Sequence, residues 1–312
     1  MKNLPIEDVL SWERFFNESK KRNFYPPKEI EMFNRLISHT NNFFVIAAIG
    51  AFTPGYLMLV TKKLLPSLSL INDEQLNELK WLIKVTASAI KETYNREVVY
   101  FEHGMCACVG GLDRAHLHFM TVSKDVNDAL LKKTINKVLS KRKAGIKSVE
   151  INGYKLENIH DIVEVMNSTE ASSYKVNGKQ LYFDDIKNNL DIKNWPVSAR
   201  DHVSKGGHYV YFQTNSISSS FLTNKNFQTQ LGRQIVFETE IEANNTMKEM
   251  SDKILKKNNY ASIWKWQEFS FKENMLKTME DLIPTLLKIE KNNKNNKFNF
   301  QTFKKKINIY NS

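Results

Sequence analysis

Apolar positions along the chain follow two periods, and the change from one to the other marks its elements. In "NNFFVIAAIGAFTPGYLMLVTKK" (41–63) two apolar runs, 43–48 and 56–61, flank Pro54-Gly55, which predicts a β-hairpin. The spacing then shifts to helical: Leu76, Leu79, Ile83, Ala87, Ile90 and Tyr94 repeat on one face. Asn72 and Gln75 sit where the cap and the closing residue of a capping box belong. "EVVYFEHG" (97–104) predicts a third strand, the loop "MCACVGG" follows, and "GLDRAHLHFMTV" (111–122) predicts a fourth. The first part thus reads β-β-α-β-β. Ahead of it, residues 1–35 are helical in tone, with two prolines opening the amphipathic run of "YPPKEIEMFNRLI".

Beyond Asp125 the pattern predicts a helix in "DVNDALLKKTINKVLSKRK" and strands near 148–151, 180–184 and in "GGHYVYFQT" (206–214). Two later helices are expected in "NFQTQLGRQIVFETEIEANN" and "FKENMLKTMEDLIPTLLKIEKNN", the second with Pro284 as a kink point. These divisions suggest residues 1–124 as a main domain, 125–287 as a mixed α/β C-terminal extension packed on it, and 288–312 as a Lys/Asn-rich basic tail, read as a solvated appendage. The fold class expected is α+β, an antiparallel sheet with helices.

The fourth strand breaks the usual pattern. Side chains at i, i+2 and i+4 of a strand share a face, so Arg114, His116, His118 and Met120 point one way, and Ala115, Leu117, Phe119 and Thr121 the other. Two imidazoles beside a guanidinium must be solvated, paired or at work.

Composition narrows the setting. With 312 residues, 41% hydrophobic and 11% aromatic, the chain is globular. The longest apolar run, "FFVIAAIGAF" (43–52), is too short to span a bilayer, and the N-terminus lacks the order of a signal peptide, so a cytoplasmic protein without a membrane partner is expected. Cys106 and Cys108 make no disulfide framework. A formal charge of +11 favours anionic partners, nucleotides or nucleic acid among them, although for nucleic acid the charge is the sole indication.

"RAHLHFMTV" resembles the signature strand of the histidine-triad superfamily, His-φ-His-φ-His-φ-φ with φ apolar. Its second and third histidines fall on His116 and His118, and its first on Arg114, a departure. The hairpin with its following helix, and "VVYFEHGMCACVGG", are similar to the family's segments leading into the triad, over about residues 36–124. "TQLGRQIV" and "IWKWQEFSFKENMLKTMEDL" look like C-terminal segments of a larger subgroup. The resemblance implies a nucleotide hydrolase or nucleotidyltransferase acting at the α-phosphate through a covalent nucleotidyl-histidine, with no cofactor. By position His116 is the nucleophile and His118 contacts phosphate oxygens or the leaving group. An imidazole suits the task, being neutral and nucleophilic near its ordinary pKa of about 6.5.

Gly110 and Gly111 would let backbone N–H groups approach the phosphate. Arg114 would donate to phosphate or swing outward. Asn42 lies where the family holds the nucleoside, with Phe43 or Phe44 against the base. His103 is expected beside the pocket, and Gln230 and Arg233 as substrate contacts or helix-surface residues. Small members of the family pair through the helix and an edge strand, so a homodimer is open. Two alternatives stand outside catalysis: a nucleotide-binding sensor that has lost turnover, and a His/Cys metal site drawing on His103, Cys106, Cys108, His116 and His118.

Overall fold

The computed structural model of the chain describes residues 35–63, 65–104, 108–109, 112–113, 115–135, 149–151, 154–156, 173–176, 179–182, 194–204, 209–214, 219–223, 230–249, 253, 266, 269–293 and 296–303. Strand β1 is Leu36–His39, β2 Phe43–Ala47 and β3 Leu57–Thr61, followed by helix α1, Asp73–Tyr94, and strand β4, Glu97–Gly104. Short strands β5 (Cys108–Val109) and β6 (Leu112–Asp113) lead to β7, His116–Val122. Helix α2 covers 128–135. Strands β8 (Val149–Ile151), β9 (Tyr154–Leu156), β10 (Ser173–Val176) and β11 (Lys179–Tyr182) come next, then α3 (Arg200–Ser204), β12 (Tyr209–Thr214), β13 (Ser219–Thr223), α4 (Leu231–Ala243), α5 (Lys272–Asn292) and β14 (Gln301–Thr302).

The main sheet has eight antiparallel strands in the order β13-β12-β4-β7-β3-β2-β1-β14. A second sheet, β11-β10-β8-β9, is built within 149–182. The chain is therefore α+β, as its periodicities predict. Both faces of the main sheet are covered. On one, Leu117, Phe119, Tyr100 and Leu59 pack against Leu79, Leu82 and Ile90 of α1 and Met275, Leu282 and Leu286 of α5. On the other, Phe101, Met58, Val60 and Met120 pack against Leu231, Ile235, Val236 and Phe237 of α4 and Leu131 and Ile135 of α2.

The expected hairpin forms with Phe43 opposite Thr61 and Ala47 opposite Leu57. The capping box is present: Asn72 accepts from the Gln75 N–H at 2.9 Å, and Gln75 returns the bond to Asn72 N–H at 3.0 Å. Pro284 lies within α5, near the middle of its 21 residues. Thr121, the polar break in its strand's apolar face, is satisfied by donating to Pro54 O at 2.6 Å and pairing with Thr53 Oγ1 at 2.7 Å.

The sequence divisions at 124/125 and 287/288 are crossed by the fold. Strands β12 and β13 extend the same sheet beside β4, and α5 runs through the second division. The start of the basic tail is also packed, contrary to its reading as a solvated appendage: Gln301 pairs with His39, Phe300 is fully buried, and Glu290 accepts from Thr302 N–H at 2.7 Å. Lysine and asparagine there decorate a segment anchored by three phenylalanines, Phe300 buried outright, Phe298 against Trp81 and Phe303 against His39. Residues 1–34, 304–312 and much of 136–193 lie outside the described residues. Among the described residues, no helix is long and apolar enough to cross a membrane.

A buried polar knot fastens the chain between β3 and α1 to the sheet. Glu102, fully buried, accepts from Leu68 N–H at 2.8 Å and from the Tyr209 hydroxyl, with the Ser67 hydroxyl at 3.5 Å. Arg200 holds the same turn by donating to Ser69 O and Ile71 O. Burial pushes the Glu102 carboxyl up to about 7, against the opposing pull of these donors. A carboxyl raised by folding favours the native state below its unfolded pKa and loses that advantage as pH rises through 7. Replacement by Gln removes the ionisation. Urea unfolding at pH 5 and pH 8 should therefore show Glu102→Gln gaining roughly 2 to 2.5 kcal/mol on the parent between the two pH values.

Candidate functional site

The site forms where β7, β4 and the residue preceding β3 face the start of α4. His118 lies opposite Met58 on one side and Phe101 on the other. His116 lies opposite Val60. Their rings are 4.6 Å apart between centroids and cross at 72°, so the shared face expected from the strand period holds. The His118 ring stacks on Phe101 at 4.4 Å and 14°. Within β7 His118 is the one half-buried residue, and His116 is 9% exposed.

A third imidazole comes from the neighbouring strand. Phe101 pairs with His118, so continuing the antiparallel register places His103 across from His116. His103 is 8% exposed and its Nε2 accepts from Gly232 N–H at 2.9 Å. That bond leaves the proton of a neutral His103 on Nδ1 and ties its other nitrogen to the first turn of α4. Glu102, its sequence neighbour, points to the opposite face into the knot with Tyr209. His118 is held well below the usual histidine range, first by burial and then by His116, His103 and Arg233 around it. It is a neutral imidazole at neutral pH.

Arg233 is 3% exposed and donates to Ile49 O and Gly50 O, clamping α4 to the bend after β2. Gly50 adopts φ +72, and a Cβ there would lie 2.3 Å from the guanidinium, so only glycine lets the two meet. Arg233 also stands over the Tyr56 ring, 5.5 Å from its centroid. The residue is buried and clamped, which replaces the helix-surface alternative. Gln230 takes a left-handed conformation (φ 69) at the helix cap, and its side chain accepts from Trp266 N–H at 3.2 Å. Both lie at the site's edge with backbone groups as partners.

Asn42 is not brought to the histidines. Its backbone and side-chain N–H groups donate to Glu78 of α1 at 2.8 and 2.6 Å, on the other face of the sheet. It belongs to the joint between β2 and α1 rather than to a nucleoside pocket. Phe43 likewise faces α1, whereas Phe44 lies on the histidine face. Arg114, Gly110, Gly111 and Cys106 lie outside the described residues, and Cys108 is placed by its backbone alone, opposite Asp113. Among the described residues no cluster of three His, Cys, Asp or Glu side chains could hold a metal ion.

Two contributors were not visible in the sequence pattern. Tyr56 reads there as one more apolar strand residue, yet its hydroxyl lies 2.7 Å from His118 Nδ1. Gly232 passes there as one position of an expected helix, yet a Cβ at this position would come within 2.3 Å of the Phe101 ring and 2.9 Å of His103 Nε2. Its signal, a glycine in the first turn of an otherwise apolar helix, marks close approach of backbone to side chain.

Gly232→Ala should therefore push His103 off its N–H partner and strain the fully buried Phe101. Overpacking of this kind costs roughly 1–3 kcal/mol, to be read as a lowered urea midpoint. Its neighbour Arg233 is left chemically intact, so a loss of His103 order in the same variant would trace to the helix contact.

No protein-family model matches the chain, and no curated protein matches it.

Proposed function

We propose that the chain is a histidine-triad-like nucleotide hydrolase or nucleotidyltransferase in which His116 becomes covalently nucleotidylated at the α-phosphate. The observation that carries this reading is the pair His116 and His118, side by side on one face of a central strand, with His118 kept neutral among other cationic or potentially cationic groups. An uncharged imidazole in cationic surroundings is a nucleophile or donor waiting beside a place that favours an anion. The resemblance of residues 36–124 to the histidine-triad family supplies the substrate class, a nucleoside 5′-phosphate ester, anhydride or amidate.

In the first step a nitrogen of His116 forms a bond to the α-phosphorus as the bond from phosphorus to the leaving group breaks, the leaving group taking the electron pair. In the second, water or an acceptor hydroxyl forms the new P–O bond, the P–N bond breaks, and the proton of the attacking hydroxyl passes to a neighbouring base or to solvent. His118 donates a hydrogen bond to the phosphate or to the departing oxygen, where charge develops. Arg114, at the position of the family's first histidine, contributes a guanidinium in place of an imidazole. It donates to phosphate and accepts nothing.

A sensor that binds nucleotide without turnover is the second reading. It is favoured by one observation: His103 and Arg233, both expected at the substrate, are engaged with backbone groups of this chain. Pairing of two copies through α1, which the family resemblance allows, would have to accommodate α5, since the two helices share one core layer.

The test is incubation with nucleoside polyphosphates, nucleotide sugars and phosphoramidates, followed by rapid quench and peptide mass analysis. The parent should carry a nucleotidyl group on His116 and release nucleoside monophosphate. His116→Ala should lose the adduct and at least a hundredfold in turnover, in line with removal of a nucleophile. Binding with neither adduct nor turnover in the parent would select the sensor.

A further inference from the structure

The hydroxyl that meets the His118 ring comes neither from β7 nor from a residue next to it in sequence. Met58 faces His118 across the ladder, and Tyr56, two residues earlier, lies diagonally on the same face. Its position is set by the turn before β3. Gly55 adopts φ +93, donates its N–H to Thr278 of α5 at 2.8 Å, and has no room for a Cβ beside Thr121 and Tyr94. The turn thus delivers the Tyr56 hydroxyl to 2.7 Å from His118 Nδ1.

The direction of that bond follows from what surrounds it. Tyr56 is 2% exposed, and His118 Nδ1 is the one hydrogen-bond partner of its hydroxyl among the described residues. The charged group over its ring, Arg233, has donors only. A phenol in this place can lodge its proton on the imidazole nitrogen or bury it without an acceptor. Burial pushes the phenol up to about 12, so the proton stays on oxygen throughout the physiological range. His118 in turn is faced by His116 on its own strand, His103 on β4, Arg233 on α4 and Tyr56 ahead of β3, and it holds a single ring proton. With Nδ1 accepting from Tyr56, that proton belongs on Nε2.

We propose that Tyr56 is a positioning residue that locks His118 in the Nε2–H tautomer, making it a fixed hydrogen-bond donor to the phosphoryl group that His116 attacks. The donor role rests on the nucleotidyl-histidine reading, whereas the tautomer does not. The lock comes from the residue ahead of the neighbouring strand β3.

Long-range proton–nitrogen correlation spectra of the full chain with 15N-labelled histidine test this directly, with His118→Gln used to assign the ring. The parent should show His118 protonated at Nε2 and unprotonated at Nδ1. Tyr56→Phe, which keeps the ring and removes one oxygen, should lose that single-tautomer signature and lower kcat about tenfold or more, with KM little changed. A parent His118 protonated at Nδ1 overturns the proposal even if Tyr56→Phe does not fold. A Tyr56→Phe protein with the tautomer intact overturns it as well, and an active variant with unchanged kcat overturns the donor role. A tautomer lost in Tyr56→Phe, in a parent that turns over no nucleotide, supports the lock and removes the catalytic reading instead.

Discussion

Everything in this structure follows from burying a sheet on both faces. A strand with one wet face has somewhere to put polar side chains, but β7 and β4 run between two helix layers and have none to spare. Each polar group they carry must then find a partner inside the protein, since a buried unpaired one costs more than a typical hydrogen bond returns. The outcome is a division by face. Glu102 goes to one side, where Tyr209, Ser67 and Leu68 N–H meet it, and the imidazoles of His103, His116 and His118 go to the other. One strand thus holds a structural carboxyl and a site histidine at successive positions, separated by the thickness of the sheet.

The helix α4 closes the histidine side, and its attachments are polar at both ends. Near its start, Gly232 N–H meets His103 and Arg233 reaches Ile49 and Gly50. Toward its end the buried Glu240 accepts from Arg96 and from Ser123 N–H, just beyond β7. Apolar contacts from Leu231, Ile235, Val236 and Phe237 supply adhesion, but they are non-directional. The polar ties decide the helix's rotation and register, and through Gly232 they decide where His103 sits.

What the sequence discloses and what it hides divide along the same physical line. The hairpin, the capped helix α1 and the shared face of His116 and His118 are local: they follow from a turn, a cap and a period of two, and they are found where the residues put them. The place of β12 beside β4, the packing of Phe300 and the approach of Tyr56 to His118 depend on pairings between distant segments, which no local period records. Asn42 misleads for a related reason. Its position before β2 suits a ligand contact, but Glu78 of α1, fully buried and needing donors, takes both of its N–H groups. Gly232 is the intermediate case, legible as unusual and explained only once Phe101 and His103 are seen beside it.

The pairing of β1 with β14 carries a consequence for how the chain is made. Strand β1 is among the first described segments to leave the ribosome, and the two residues that cover its outer edge are among the last. Throughout synthesis that edge presents open N–H and C=O groups, the template on which strands of other chains add. β4 has a similar wait for β12. The order of the strands in space, so different from their order in the chain, puts pairings of high sequence separation at the sheet's edge and centre alike, the kind that form late in folding.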